Sequence, residues 1–203
     1  MADTLTTQKL KAFEAAFLEL NRHHNLVARG DGPHFWERHI MHCLALTRRA
    51  FPEGAQVVDW GTGGGLPAIP LAIALPWLHI TAVDSMQKKI MAVHRLTREL
   101  KVANVSTWCG RAHAWPGKAT HSVSRATAPL EVLWGWHKRV AGPCRAEQKG
   151  VWAPGLLCLK GGDLSLELGA LHSAHGDVTA EVIPLDDLGA WFDEKVIVHV
   201  WHE

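Results

Sequence analysis

Gln56-Val57-Val58-Asp59-Trp60-Gly61-Thr62-Gly63-Gly64-Gly65-Leu66-Pro67-Ala68, answered further on by Ala82-Val83-Asp84-Ser85, is the stretch that decides the fold. A short β-branched run feeds directly into glycines. A second apolar run about twenty residues later ends in a carboxylate, the spacing that opens a doubly wound α/β domain. In such a domain the ligand crevice lies at the carboxyl ends of the strands, which is where both the glycines and Asp84 fall. Glycines at alternate positions let the backbone turn sharply, and the space their missing Cβ atoms leave is expected to belong to the ligand. Asp84 is placed to accept hydrogen bonds from two ribose hydroxyls.

Two ligand classes fit this frame. Gly63-x-Gly65-x-x-Ala68 matches the dinucleotide fingerprint. Against it, Asp59 precedes the glycines and Pro67 and Pro70 follow them, where a phosphate-binding helix needs free amides. A carboxylate there suits a cationic donor, which points to S-adenosylmethionine.

Working outward, Leu10, Phe13, Phe17 and Leu20 recur at helical spacing and predict an amphipathic helix ending near Asn21. A second helix is expected from about Pro33, burying Trp36, Ile40, Cys43 or Leu44, and Thr47 before Phe51-Pro52 stops it. Beyond them, strands are expected at Gln56 to Asp59, His79 to Val83, Val105 to Cys109, Ser122 to Ser124, Leu156 to Leu159, Thr179 to Ile183 and Val196 to Val200. The last two are close enough to pair antiparallel at a sheet edge. The clearest crossover helix runs from Ser85 to Leu100, with Met86, Ile90, Val93, Thr97 and Leu100 inward and Lys88, Lys89, Arg95 and Arg98 outward. The predicted architecture is α/β: a doubly wound, seven-stranded class I S-adenosylmethionine-dependent methyltransferase fold over residues 53–203, one compact unit, with an N-terminal helical extension over 1–52.

Composition bounds the rest. The chain has 203 residues, 47% of them hydrophobic, enough for one substantial core. Its 21 basic and 20 acidic residues give a formal charge of +1, so any nucleic-acid contact must use a local basic patch. Met1 to Leu10 lacks the pattern of a secretory leader, and no stretch reaches the roughly 18 apolar residues of a membrane span, so a cytoplasmic protein with no membrane contact is expected. Cys43, Cys109, Cys144 and Cys158 show no C-x-x-C spacing and are read as reduced thiols. His23-His24 lacks the three or four convergent ligands of a metal site, and no metal is expected.

Further motifs carry a resemblance. Asn25-Leu26, Arg38-His39, the run from Asp59 through Leu66-Pro-x-Ile-Pro-Leu71, Asp84-Ser85 with Lys88-Lys89, Gly110-Arg111-Ala112, Ser124-Arg125-Ala126 and Leu159-Lys160-Gly161 together resemble the bacterial small-subunit ribosomal RNA guanine-N7 methyltransferases, also called glucose-inhibited division protein B. The likeness runs along most of the chain. It implies methylation of guanine N7 in the 530 loop of the small-subunit RNA, presented within the small ribosomal subunit, by a monomer. It also implies donor contacts at Gly61, Leu66, the Ala112-His113 pair beside the adenine, and Arg125, with Asp59, Thr62, Gly63, Asp84 and Ser85 completing the pocket. Arg125 and Lys160 are then the catalytic candidates, facing the target base or its phosphates. Arg38, His39, Lys88, Lys89, Arg111 and Arg139 are candidates for RNA contact, joined by Arg95, Arg98 and Lys138 on the same charge argument. Trp134 and Trp136 are read first as packing anchors, with base stacking as the lesser alternative.

The chain departs from that family's pattern in four places. His42-Cys43 stands where Asp-Ser is usual, Ala68 replaces a Gly, His113 replaces a Glu, and the C-terminal end is Trp201-His202-Glu203 instead of a basic stretch. Three alternatives remain open at this point: a methyltransferase for a small molecule or protein, a donor-binding homologue without transfer, and a nicotinamide dehydrogenase. The absence of a Ser-His-Asp or paired-carboxylate constellation is no objection to the leading reading, because guanine N7 has an in-plane lone pair and no proton to lose.

Overall fold

The computed structural model describes residues 4–142 and 149–202. Cys144, Glu203 and the first three residues lie outside them. Helix α1 (Thr4–His24) buries Leu10, Phe13, Phe17 and Leu20 as their spacing predicts. It runs past Asn21 because that side chain faces inward, where its Oδ1 accepts the Leu26 and Val27 amides at 2.6 and 3.0 Å and fixes the chain reversal beyond the helix.

The second helix is not regular. The arm is a 3₁₀ turn (Arg29–His34), a π-helical turn (Trp36–Met41), a short α2 (His42–Leu44) and another 3₁₀ turn (Ala45–Arg48). The change of pitch turns Phe35, His39, Ile40, His42, Cys43 and Leu46 inward, while Thr47, expected inside, is exposed.

All seven strands form, each close to its predicted span: β1 (Gln56–Trp60), β2 (His79–Asp84), β3 (Val105–Cys109), β4 (His121–Arg125), β5 (Gly155–Gly161), β6 (Val178–Pro184) and β7 (Lys195–His202). They make one sheet in the order β3-β2-β1-β4-β5-β7-β6. β1 to β5 are parallel where they pair, β7 lies antiparallel beside β5, and β6 closes the edge antiparallel to β7. After β3 the chain returns across the sheet to place β4 against β1, which makes the gap between the ends of β1 and β4 the topological switch point.

Helices cover both faces. On one side α1 packs across α3 (Ala68–Ala74) and α4 (Gln87–Glu99), and Phe13, Phe17, Phe35, Ile69, Leu71, Val57 and Val93 share a single apolar cluster. The helical extension is therefore a wall of the main core. On the other, α5 (Leu130–Val140) and α6 (Ser165–Ala174) cover Val58, Trp60, Leu156 and Val198. In α4, Ile90, Val93 and Thr97 face inward as expected with Leu96 added, but Met86 precedes the helix and is 41% exposed. No helix among the described residues is long and apolar enough to cross a membrane.

Five histidines are built into this interior. Burial is the main cause that lowers His39 to about 4, His42 to about 3, His121 to about 4, His137 to about 3 and His199 to about 4. Their partners suit neutral rings: Ser122 Oγ lies 2.8 Å from His137 Nδ1, and the Trp152 and Ala153 carbonyls lie 3.2 and 2.9 Å from His121 Nε2 and His199 Nε2. In the unfolded chain each ring takes up a proton near pH 6.5, so below that pH the unfolded state binds more protons and stability falls until the folded-state values are reached. Each ring costs about 1.4 kcal/mol per pH unit across that window. Asp59, raised to about 7 mainly by burial, works in the opposite direction, but it is one group against five. Urea midpoints are therefore expected to drop steeply from pH 7 to pH 5, and less steeply for His137→Gln. A midpoint that stays flat over that range contradicts the neutral-histidine interior.

Candidate functional site

At the switch point, the parallel pairing of β1 and β4 is extended through one carbonyl. Trp60 C=O accepts the Ser124 hydroxyl at 3.0 Å and the Thr127 hydroxyl at 2.9 Å. Gly61 follows with φ +69°, and a Cβ there would sit 2.3 Å from the Thr127 methyl. A Cβ on Gly64 would meet the Phe17 ring at 2.5 Å. Those two glycines therefore make room for protein, one for β4 and one for α1, and not for a ligand as the sequence reading expects. Gly63 differs: its φ is +58° and the nearest atom to a Cβ there is 4.0 Å away.

Asp84 ends β2 and organises the far side of the loop. Its Oδ2 accepts the Gly63 amide at 3.1 Å, its Oδ1 accepts the Met86 amide at 2.9 Å, and Lys89 Nζ lies 3.6 Å from Oδ2. The Thr62 amide donates to the Val83 carbonyl at 2.9 Å and the Gly110 amide to the Asp84 carbonyl at 3.0 Å, so the loops after β1, β2 and β3 are laced together. Between them and the end of β4 opens a cavity of 450 Å³. Gly61, Asp84, Ser85, Ala112 and His113, expected as donor contacts, line it, and so do Lys89 and Arg111, expected to meet RNA. Met86, Gly110, Thr127 and Trp136 line it without having been foreseen.

Five expected donor contacts, Asp59, Thr62, Gly63, Leu66 and Arg125, are not among the residues that line the cavity. Asp59, Thr62 and Leu66 are buried beneath the loop and do not reach the cavity. Asp59 instead accepts the Ala68 amide at 3.1 Å, closing the loop onto the start of α3. Its burial raises it to about 7, against the pull of the Thr62 hydroxyl, the Ala68 amide and Arg125. Ala68, one of the family departures, is wholly buried and keeps this amide contact.

The catalytic candidates also find protein partners. Arg125 points across the sheet edge to the helical arm, its Nη1 2.7 Å from His39 Nδ1. On its other side His39 Nε2 meets Asp31 Oδ2 at 3.0 Å, and Phe35 stacks on the ring at 5.0 Å. Arg38 lies 3.5 Å from the same Asp31 carboxylate. Lys160 is not free to meet a substrate: its Nζ donates to the Ala128 carbonyl at 2.9 Å and to Glu167 Oε2 at 2.7 Å, and that oxygen also takes the Leu130 amide at 3.0 Å. It anchors the loop that follows β4. Arg139 is likewise engaged, donating to the Trp115 and Ala112 carbonyls at 2.9 and 3.0 Å and so clasping the 3₁₀ turn Ala112–Ala114 against α5. Lys88, Arg95 and Arg98 face a second groove between α1 and α4 that shares no lining residue with the cavity, and Lys138 is exposed on α5. Trp134 is buried and stacked on His137, a packing anchor, whereas Trp136 meets the cavity and packs edge-on to Trp60. His42, another departure, fills an apolar corner edge-on to Trp191 and Phe192.

A cavity of this volume suits a small-molecule ligand. Its one buried carboxylate sits at the end of the second strand, where a ribose diol is received, with Val83, Met86, Ala112 and Trp136 as apolar flanks for a planar base. The residues present therefore fit S-adenosylmethionine.

The fold agrees. A crystal structure of a SAM dependent methyltransferase from Aquifex aeolicus, 16% identical, superposes with a TM-score of 0.62 over 85% of this chain and 94% of its own. The fibrillarin/Nop5p complex, 14% identical, gives 0.55 over 79% of each chain. The architecture is that of the S-adenosylmethionine-dependent methyltransferases. Within that class, the family described as GidB, rRNA small subunit methyltransferase G, matches residues 6–150. A protein named Ribosomal RNA small subunit methyltransferase G from Salinibacter ruber is 50% identical over 196 residues, covering 95% of this chain and 91% of its own. Its namesake in Cytophaga hutchinsonii is 34% identical, covering 97% and 94%. The chain belongs to this family of rRNA methyltransferases.

Replacing Asp84 by Asn exchanges an acceptor for a donor opposite the Gly63 or Met86 amide and removes one acceptor from the diol. A polar group left unpaired costs about 1–3 kcal/mol, so S-adenosylmethionine affinity of Asp84→Asn, measured by calorimetry, is expected to fall about 10- to 100-fold. An unchanged affinity would place the donor elsewhere.

Proposed function

We propose that this protein transfers the methyl group of S-adenosylmethionine to N7 of a guanine in the 530 loop of small-subunit ribosomal RNA, acting as a cytoplasmic monomer on RNA within the small subunit. The observation that carries the reading is the laced cavity at the switch point, with Asp84 on its wall, in a chain of the rRNA small subunit methyltransferase G family.

When bound, the donor supplies a sulfonium methyl group, and as N7 bonds to that carbon the electrons of the carbon–sulfur bond return to sulfur. No proton leaves N7, so no residue has to act as a base. The residues of the chain bind and orient. Asp84 and the Ala112-His113 turn hold the donor's nucleoside end, and Trp136 and Met86 exclude water from it. Arg125 stands at the rim, its guanidinium held by a neutral His39, and arginine is well suited to the O6 edge of guanine. Lys160, through Ala128 and Glu167, positions the loop that carries Thr127. Alignment of this kind supplies about 7–11 kcal/mol of barrier lowering.

The test is labelled methyl transfer to small subunits that lack N7 methylation, followed by nucleoside analysis of the RNA. The expected product is N7-methylguanine, with Arg125→Ala slowed at least about 10-fold, the loss of roughly one hydrogen bond to a charged group. Donor binding without transfer to the subunits, or label on a metabolite or protein instead, contradicts the proposal.

A further inference from the structure

Apart from the donor cavity, the described residues form a larger groove, 830 Å³, between α1 and α4. Its floor is apolar, from Leu20, Ala92 and Val102, and Met91 stands 61% exposed along it. Every ionisable side chain on its walls is of the basic kind: Lys88, Arg95, Arg98 and Lys101, with His24 and His94. In a chain whose formal charge is only +1 this is a strong local concentration. Arg95 lies 4.0 Å from Glu99, both well exposed, and His94 bonds the Thr107 hydroxyl. The side chains of Lys88, Arg98 and Lys101 have no hydrogen bond or ion pair to any described residue. Three unpartnered cations thus line a groove whose lining has no carboxylate.

We infer that this groove seats the sugar-phosphate backbone of the RNA strand flanking the target guanine. The inference rests on the rRNA reading above and deepens it. Lys88 adjoins Lys89, which lines the donor cavity, so the groove opens beside that cavity and follows α4 away from it. From Lys88 to the end of α4 at Glu99 the helical rise covers about 17 Å, roughly the length of five nucleotides at 3.4 Å each. Phosphates meet the four cations, and the exposed Met91 and the apolar floor offer surface to sugars or an unstacked base. An acidic protein segment would meet the same charges, but α4 starts directly after Ser85 and Met86 of the cavity wall, so the groove begins within one helical turn of the cavity, which favours the strand bearing the target base.

The test compares the wild type with a neutralised variant, Lys88→Gln, Arg98→Gln and Lys101→Gln together, and a charge-keeping one, Lys88→Arg, Arg98→Lys and Lys101→Arg together. Binding to protein-free small-subunit RNA is measured across a salt series, alongside S-adenosylmethionine binding. For three lost phosphate contacts the slope of log affinity against log salt is expected to shrink by about 2, with affinity down at least about 10-fold near 100 mM salt. The charge-keeping variant and donor binding are expected to match the wild type. Equal slopes and affinities for all three proteins overturn the inference, as does a loss seen with assembled subunits but not with bare RNA, which assigns the groove to a protein partner. RNA binding is read here without turnover. A wild type that binds through the groove yet methylates nothing contradicts the proposed reaction alone. A wild type that methylates, with the neutralised variant unchanged in binding, contradicts the groove alone.

Discussion

The carbonyl of Trp60, shared by the hydroxyls of Ser124 and Thr127, is the constraint on which the site depends. It brings the end of β4 against the end of β1, where the strand order reverses, and seats Thr127 in the space a Cβ on Gly61 would fill. The parallel ladder already pairs Trp60 with Ser124 at that end, and the two hydroxyls tie the turn after β4 to the same carbonyl. With it, the crevice has a fixed wall on the β4 side, and the Asp84 carboxylate, gripping Gly63 and Met86, fixes the other.

Around this centre the charged side chains turn inward more than their residue types alone imply. Arg125 is tied to His39, His39 to Asp31, Lys160 to Glu167 and the Ala128 carbonyl, and Arg139 to two carbonyls of the turn beside the cavity. The helical arm is therefore part of the site: its π-helical turn presents His39, and α1 supplies Phe17 beneath Gly64. The side chains of Lys88 and Arg98 on α4, and of Lys101 just beyond it, have no such partner among the described residues.

The seven strands were legible because their β-branched runs are short, apolar and bounded by turns, and the strand-end loops around the cavity were legible because strand, glycines and distal acid come in a fixed order. What stayed hidden depends on contacts made far away in sequence. Nothing in Gly61 or Gly64 announces that Thr127 and Phe17 fill the space beside them. Asp59 looks like a ligand residue, yet its carboxyl is sealed in to hold the Ala68 amide. Lys160 reads as a catalytic candidate and Arg139 as an RNA contact until Glu167 and the backbone carbonyls near Trp115 come within reach. The arm defeated helical periodicity because its pitch passes from 3₁₀ to π to α and back to 3₁₀ between Arg29 and Arg48. Thr127, directly after Ser124-Arg125-Ala126, carried a usable signal: a hydroxyl next to a strand-end motif.

The central claim is that the donor lies among the ends of β1, β2, β3 and β4. Amide hydrogen exchange with and without S-adenosylmethionine tests it most directly. Slowed exchange confined to Gly61–Gly63, Asp84–Met86, Gly110–His113 and Ala126–Thr127 is the predicted result. Protection along Lys88–Lys101 with none at those four strand ends would contradict it.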